Sequence, residues 1–229
     1  MATHDEFASD YDKKASEYKW FGPEVLLGLM YEFIEAEQTL LDIGIGTGLS
    51  SLPFQKAGLT IFGIDNSSQM LAICRAKEFT HELIEHDICK TPLPYPKHSF
   101  DHVISNGVFH LIRDLTPLVA DVARLLKDLG TFGFSYQEWT FDLTEGYRSV
   151  DKRGVFETTD KESGVKVYHQ TEDYVMNLLF DNGFTVWKKL EFVGNIDPKD
   201  GKKYYLRAVV AQKRGERSGD EDIIKRLLG

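Results

Sequence analysis

A glycine-rich segment near the start of the chain carries residue types that a small anionic ligand would need. The sequence LLDIGIGTG, residues 40–48, places Asp42 and then Gly44, Gly46 and Gly48 between an apolar run and a helical pattern. Glycine has no Cβ, so the chain can turn sharply and its N–H groups can approach a ligand beside a helix N-terminus. The segment therefore predicts an anion-binding turn.

A carboxylate ends the next apolar run. Asp65 closes the sequence TIFGID and comes 21 positions after Gly44. A carboxylate at this place can accept hydrogen bonds from the two vicinal hydroxyls of a ribose, so we predict a nucleoside derivative as the ligand. Nicotinamide dinucleotides are disfavoured, because their G-x-G-x-x-G fingerprint needs a small residue where Leu49 stands.

Short apolar runs alternate with helical patterns around these residues. We expect strands at 39–43, 60–64, 102–105 and 131–136, with helices over 50–57, after Ser67 and Ser68, and over 115–128 ending at Gly130. Repeated strand–helix–strand units favour right-handed crossovers. The predicted fold class is α/β: a doubly wound, mostly parallel sheet with an antiparallel strand at its edge and an insertion after the fifth strand.

We predict one domain over residues 1–229, with five parts. The alternation stops after Tyr136, and VFET and VKVYH indicate a hairpin before Thr171 caps another helix. Two late strands then predict an antiparallel pair, and Ile223 to Leu228 could form a terminal helix or fray. The parts are N-terminal helices over 1–38, a ligand-binding core over 39–136, an insertion over 137–170, completion of the sheet over 171–212 and a tail over 213–229.

Composition excludes several classes of function. The 36 acidic and 27 basic side chains leave a net charge of −9, which disfavours nucleic acid and anionic membranes as partners. The only two cysteines, Cys74 and Cys89, have neither metal-ligand spacing nor the number that a disulfide framework needs. With no apolar run of roughly 18 residues, we expect a soluble cytoplasmic protein that binds no metal.

In this order, the residues resemble the class I S-adenosylmethionine-dependent methyltransferases, whose first motif reads hydrophobic-hydrophobic-D-x-G-x-G-x-G. The resemblance is good over 39–136, moderate over 171–212 and absent over 137–170. It rests on LLDIGIGTG and on five further segments: FGIDNSSQML (62–71), EHDICKTPLPY (85–95), FDHVISNGVFHLI (100–112), VARLLKDLGTFGFS (122–135) and TEDYVMNLLFDNGF (171–184). It implies a Rossmann-like methyltransferase fold and S-adenosylmethionine as the cofactor, with S-adenosylhomocysteine as the product.

The resemblance also implies roles for single residues. Gly44, Gly46 and Gly48 would approach the methionine part of the cofactor, with Asp42 holding the loop or reaching the amino group through water. The ribose hydroxyls would bind Asp65, next to Asn66, and the adenine amino group would bind Asp87, beside the backbone of Ile88. Asn106, followed by Gly107, would lie near the transferred methyl group. Taken singly, Asp42 could be a helix cap, and Asp87 and Asn106-Gly107 could be ordinary turns.

Aromatic residues suggest further contacts. The resemblance implies that an N-terminal segment packs over the cofactor as a lid, whereas amphipathic packing is the alternative; the residues are Phe7, Tyr11, Tyr18, Trp20 and Phe21. Loops at the carboxyl edge of a parallel sheet gather over ligands, so Tyr136, Trp139, Tyr168 and His169 are candidate acceptor contacts. Packing of the hairpin is the alternative. His110 is a candidate proton acceptor or a packing residue, and with Asn106 it completes the catalytic candidates.

The function predicted from the resemblance is S-adenosylmethionine-dependent methyl transfer to a small molecule. The Asn-Pro-Pro-aromatic signature used on planar nitrogens is absent, since Ser105-Asn106-Gly107-Val108 stands there. A nucleobase or glutamine-amide acceptor is therefore disfavoured. The alternative is a cofactor-binding regulatory or scaffold protein that keeps the fold without turnover.

Overall fold

Seven strands form the main sheet of the computed structural model, which describes residues 8–141, 143, 145–160 and 164–215. The strands are β1 (Thr39–Ile43), β2 (Thr60–Asp65), β3 (Glu82–Glu85), β4 (Phe100–Ser105), β5 (Leu126–Tyr136), β9 (Phe184–Ile196) and β10 (Lys203–Lys213). Their order in the sheet is β3-β2-β1-β4-β5-β10-β9. The first five run parallel, and β10 pairs antiparallel with both β5 and β9. The predicted fold class is confirmed.

Among the residues that the structure describes, six α-helices accompany the strands. They are α1 (Tyr11–Glu17), α2 (Gly22–Met30), α3 (Leu52–Lys56), α4 (Ser68–Ala76), α5 (Thr116–Leu125) and α6 (Glu172–Asp181). Two of the predicted caps are confirmed: the Ser67 side chain accepts a hydrogen bond from Met70 N, and the Thr171 side chain accepts one from Tyr174 N. Within the described residues, no helix combines the length and the apolar character needed to cross a bilayer.

Both faces of the sheet are covered by apolar side chains. On β1, Leu41 belongs to a core that includes Phe132 and Phe134, whereas its neighbour Leu40 belongs to a second core with Leu26 and Met30. Successive side chains on a strand point to opposite faces. A strand buried on both faces therefore reads as a continuous apolar run, which is why TLLDI was recognisable as one.

The boundary between α5 and β5 differs from the prediction. The helix ends at Leu125 rather than Asp128, and β5 begins at Leu126, which is fully buried and pairs with Phe100. Gly130 therefore lies inside a strand and does not end a helix. Its role is close packing, since a Cβ there would lie 2.8 Å from the carbonyl oxygen of Asp101.

The insertion forms a small sheet of its own. Its strands are β6 (Arg148–Ser149), β7 (Val155–Thr159) and β8 (Lys166–Gln170), paired antiparallel in that order. The predicted hairpin is thus present as β7 and β8, with one short strand added. Val155 and Gln170 are fully buried and join this sheet to the main body. The predictions for Phe7 and for Ile223 to Leu228 fall outside the described residues.

Candidate functional site

The glycine segment forms a tight turn at the carboxyl end of β1. The backbone N–H groups of Gly44 and Ile45 donate to the carbonyl of Ile64, at 2.8 and 3.0 Å, which anchors the turn to the end of β2. Gly44, Gly46 and Gly48 have φ angles of +78°, +54° and +86°. These angles lie in the left-handed region, where a side chain costs roughly 1 kcal/mol or more. Backbone conformation alone therefore accounts for three glycines here.

The three glycines differ in what lies beside them. A Cβ at Gly44 would lie 2.6 Å from the Val108 side chain, and one at Gly48 would lie 2.5 Å from the Phe79 ring. A Cβ at Gly46 would meet nothing within 4 Å. Gly44 and Gly48 therefore serve packing, whereas Gly46 faces open space that a bound group can fill. This is the feature of the turn that fits a ligand.

Asp65 is hydrogen-bonded to the same glycine. Its Oδ2 accepts a hydrogen bond from Gly46 N at 2.8 Å, and its Oδ1 accepts one from Ser67 N at 2.9 Å. A carboxylate oxygen has more than one acceptor position, so each oxygen retains capacity for a hydroxyl donor. The side chain thus fixes the turn and leaves acceptor sites available for a diol.

Asp42 supports the turn from inside the core. Its carboxyl is 1% exposed and accepts a hydrogen bond from the Ser51 hydroxyl at 2.6 Å, which ties the end of β1 to the start of α3. Burial raises the pKa of Asp42 to about 7, against the lowering effect of the Ser51 hydrogen bond, and the charge of Asp65 raises it further. The group therefore titrates near neutral pH.

The segment after β3 has the geometry of a local turn. Asp87 Oδ1 accepts a hydrogen bond from Cys89 N at 3.0 Å, and its Oδ2 lies 3.6 Å from Lys90 Nζ. Ile88 packs partly buried against the main core. Asp87 thus forms a local turn, which is its alternative role, and its contact with adenine stays a prediction. Asn66, next to Asp65, is exposed.

A hydrogen-bonded cluster fixes the turn after β4. The Asn106 side chain donates to Ser50 Oγ at 3.2 Å and accepts from the Ser135 hydroxyl at 2.7 Å, while Gly107 N donates to the same Ser135 oxygen at 2.9 Å. Both ends of the Asn106 amide are therefore engaged by protein groups. His110 follows in a short 3₁₀ helix, Phe109–Leu111, and is half-buried.

Two N-terminal aromatic residues, Tyr11 and Trp20, lie near the turns that follow β1 and β4. Tyr11 is 39% exposed as a residue, but desolvation of its phenol group raises its pKa, and the nearby carboxylates of Asp12, Asp65 and Asp42 raise it further. The ring of Trp20 lies 3.4 Å from where a Cβ on Gly107 would be. The side chains of Tyr11 and Trp20 thus lie near the carboxyl ends of β1 and β4. Phe21 is 41% exposed.

The backbone of the N-terminal segment is tied to the far end of β9. The carbonyl of Tyr18 accepts a hydrogen bond from Ile196 N at 2.7 Å, and Phe21 N donates to the carbonyl of Gly194 at 3.0 Å. The side chain of Tyr18 is half-buried. Its predicted contact with the cofactor stays a prediction.

The four candidate acceptor contacts each pack within the protein. Tyr136 is 2% exposed within the main core, and Tyr168 packs partly buried against that core. Trp139 stacks on Phe156 with ring centroids 3.7 Å apart. His169 lies with Nδ1 3.2 Å from the Glu138 carbonyl and Nε2 3.4 Å from the Tyr147 hydroxyl, and burial lowers its pKa. Packing of the insertion explains these contacts, and their role toward an acceptor stays a prediction.

Two buried amide oxygens lie where the insertion joins the sheet. Among the described residues, Gln137 Oε1 and Gln170 Oε1 have no hydrogen-bond partner, although Gln170 Nε2 donates to the Phe109 carbonyl at 3.3 Å. Burying an amide oxygen without a partner costs roughly 1–3 kcal/mol. Neither glutamine was singled out from the sequence.

Several other polar residues that shape the site were also missed. They are Asp12, Thr47, Ser50, Ser51, Lys77 and Ser135, each of which bonds to the glycine turn, to Asp42, to Asn106 or to another of these residues. A serine inside the apolar run TFGFSY was a usable signal for Ser135. The sequence around Asp12 and Lys77 held no comparable signal.

A protein-family model described as a methyltransferase domain matches residues 41–134 of this chain. Demethylmenaquinone methyltransferase of Tropheryma whipplei (strain Twist) is 31% identical over 97 residues, which are 42% of this chain and 41% of the relative. The uncharacterized methyltransferase YcgJ of Bacillus subtilis (strain 168) is 32% identical over 132 residues, covering 53% and 51%. The chain thus spans only about two fifths to one half of the length of these relatives.

A solved structure shows the same fold over most of the chain. It belongs to the complex between the Haloferax volcanii Trm112 methyltransferase activator and a methyltransferase, and the matched chain has a TM-score of 0.73 at 20% identity, covering 94% of this chain and 98% of its own length. The family match includes the glycine turn, Asp65 and Asn106, which the structure places at one edge of the sheet. Over residues 41–134, this chain is therefore similar to methyltransferase domains, and it shares their fold.

Proposed function

We propose that the chain transfers a methyl group from S-adenosylmethionine to a small-molecule acceptor. The observation that carries the proposal is the open face of Gly46, whose N–H donates a hydrogen bond to the Asp65 carboxylate. A nucleoside ligand needs close approach to backbone at one end and a diol acceptor at the other. This turn offers both, and it lies within residues 41–134, which match the methyltransferase-domain model.

The residues of the chain act mainly by positioning. When bound, S-adenosylmethionine supplies an activated methyl group together with its leaving group. The protein therefore needs to orient the acceptor in line and to exclude water. We assign the cofactor to the glycine turn, Asp42, Asp65, Asn66, Asp87, Ile88 and Asn106, with Tyr11, Tyr18 and Trp20 as its cover. Because Asn106 is hydrogen-bonded at both ends, its role is to hold the turn after β4.

The acceptor side is supported by the junction of the insertion with the sheet. Gln170 is fully buried beside the 3₁₀ helix that contains His110, and its Oε1 has no partner among the described residues. A methyl acceptor that carries an N–H or O–H group would satisfy such an oxygen. We therefore assign the acceptor to this side of the molecule, with His110 as the candidate proton acceptor. The net charge of −9 favours a small molecule over a nucleic acid.

Calorimetry with S-adenosylhomocysteine tests the proposal. Binding should be micromolar, on the order of −8 kcal/mol, and nicotinamide dinucleotides should not compete. Asp65→Ala should weaken binding at least tenfold, or by about 1.5–3 kcal/mol, because charge-assisted hydrogen bonds are lost.

Asp200→Ala is a matched control. Asp200 also accepts a hydrogen bond from the backbone two residues further on, at Lys202 N, but it lies exposed between β9 and β10. Its removal should leave the affinity unchanged. Failure of the unsubstituted protein to bind would contradict the proposed function, and unchanged affinity in folded Asp65→Ala would contradict the ribose assignment.

A further inference from the structure

Lys77 connects three elements around the glycine turn. It follows the C-terminus of α4, and its Nζ lies 2.6 Å from Asp12 Oδ2 in helix α1. The same Nζ donates to the backbone carbonyl of Thr47, inside the turn, at 2.8 Å. The Thr47 hydroxyl in turn donates to Asp12 Oδ1 at 2.5 Å. Lys77, Asp12 and Thr47 thus close a ring of three contacts, which we call the Lys77 clamp.

The clamp differs from an ordinary surface ion pair. Thr47 is 1% exposed, and the side chains of Lys77 and Asp12 are 26% and 39% exposed. On the same helix, Lys13 and Glu17 form a pair at 3.9 Å with side chains 77% and 51% exposed. Exposed pairs contribute little, whereas short, partly buried and charge-assisted contacts are stronger and hold one geometry. The Lys13–Glu17 pair therefore provides an internal control.

Helix α1 depends on polar contacts for its position. None of its seven residues is buried, so apolar packing contributes little to holding the helix against the body of the protein. The chain after it is tied to β9 through the Tyr18 carbonyl and Ile196 N. The Lys77 clamp supplies a corresponding tie at the other end, beside the glycine turn.

The clamp also completes the support of the turn. Asp65 holds the N–H of Gly46, and the next residue is held by Lys77 at its carbonyl and by Asp12 at its hydroxyl. We infer that Lys77 is a positioning residue for the cofactor: it fixes the conformation of the turn at Thr47 and, through Asp12, holds α1 beside that turn. This inference rests on the proposed function.

Loss of the Lys77 clamp should weaken cofactor binding, because it lowers the population of the arrangement in which α1 is held against the turn. If α1 and the turn adopt the closed arrangement for only a fraction of the time, the apparent affinity falls by that fraction. Lys77→Met and Asp12→Asn should each weaken S-adenosylhomocysteine binding about three- to tenfold in calorimetry. The double variant should be little worse than either single variant, because both remove the same clamp. Lys13→Met should leave the affinity unchanged.

A second readout needs no cofactor. In the cofactor-free protein, amide hydrogen exchange over residues 11–17 should accelerate in Lys77→Met and Asp12→Asn but not in Lys13→Met. Exchange in the strands of the main sheet should stay unchanged, which separates release of α1 from general unfolding. Lys77→Arg keeps the charge and the donors, and it should retain the parent exchange rates and bind within about twofold of the parent affinity.

A variant in which the charges of Asp12 and Lys77 are exchanged distinguishes the Lys77 clamp from a simple ion pair. In the variant Asp12→Lys with Lys77→Asp, opposite charges still face each other, but the Thr47 carbonyl loses its donor. We expect no rescue of affinity. Full rescue, or parent behaviour of Lys77→Met in both exchange and affinity, would overturn the inference. If the parent protein does not bind S-adenosylhomocysteine, the proposed function fails, and the exchange experiment still decides whether Lys77 holds α1.

Discussion

Asp42 is a buried carboxyl, and its burial disfavours the ionised form. Its raised pKa of about 7 means that the protonated form dominates below this pH and the carboxylate above it. A carboxylate beside the turn attracts a cation. S-adenosylmethionine carries a positive sulfonium that S-adenosylhomocysteine lacks, so ionisation of Asp42 should favour the former.

We therefore expect the affinity ratio of S-adenosylmethionine to S-adenosylhomocysteine to rise between pH 6 and pH 8. Calorimetry at several pH values should show an increase of roughly threefold, since charges several ångströms apart interact by about 1 kcal/mol. Asp42→Asn keeps an acceptor for the Ser51 hydroxyl and does not titrate. A ratio that rises equally in this variant would show that Asp42 is not responsible.

At the residue scale, the sequence revealed what is local. The glycines of the turn and Asp65 follow directly from strand ends, where the structure has three positive φ angles and a hydrogen bond from Gly46 to Asp65; their contacts with a ligand stay predictions. The Lys77 clamp could not be predicted, because Asp12 and Thr47 are separated by 35 positions and only the packed fold brings them together. Asp87 shows the opposite case, in which a residue matching the motif also satisfies its local turn.

Among the elements, β4 is fixed to its neighbours through His102. Its Nε2 lies 2.7 Å from Gln38 Oε1 and its Nδ1 lies 2.7 Å from Thr131 Oγ1 in β5. An amide oxygen only accepts, so Nε2 carries the proton and Nδ1 accepts from the threonine hydroxyl. Burial lowers the pKa of His102 to about 4, and the ring is neutral in the folded protein at neutral pH.

This histidine should make the fold sensitive to mild acid. The unfolded chain binds a proton at the ordinary pKa of about 6.5, whereas the folded chain does so only near 4, so stability is lost as the pH falls through this window. Between pH 7 and pH 5, chemical denaturation should show a loss of about 2 kcal/mol from this group. His102→Asn should reduce the loss by that amount. An equal loss in the variant would contradict the assignment.

Strand β3 and the end of α5 show why elements were missed or misplaced. Strand β3 has four residues, Glu82–Glu85, with a charge at each end, so its apolar signal is only two residues long. It forms because β2 offers an open edge, and the pairing of Ile64 with Ile84 is a tertiary event. At the end of α5, the burial of Leu126 against β4 likewise overrode a helical pattern that continued to Asp128.

At the scale of the whole molecule, the mostly parallel sheet and the antiparallel pair could be predicted, because β1, β2, β4 and β5 each contain an apolar run. The order of the strands was not predicted, because it depends on tertiary pairing. The position of the insertion could be predicted as well, but its contacts could not. Its aromatic residues pair with one another, as Trp139 does with Phe156, and its attachment depends on Val155 and Gln170. The pattern of hydrophobic residues in the sequence does not indicate which aromatic side chains would contact a ligand.

The central claim is that a nucleoside cofactor occupies the open face of Gly46. Gly183 provides a matched position between α6 and β9: its φ is +80°, and an added Cβ also meets nothing within 4 Å. Gly46→Ala and Gly183→Ala should therefore cost similar backbone strain, roughly 1 kcal/mol, and lower the melting temperature to a similar degree.

The decisive measurement is calorimetric binding of S-adenosylhomocysteine to these two folded variants. If the cofactor fills the space at Gly46, Gly46→Ala should bind at least about tenfold more weakly than the parent, because the added methyl group lies where the ligand approaches the backbone. Gly183→Ala should bind with the parent affinity. Equal affinities of the two variants would contradict a cofactor site at the glycine turn.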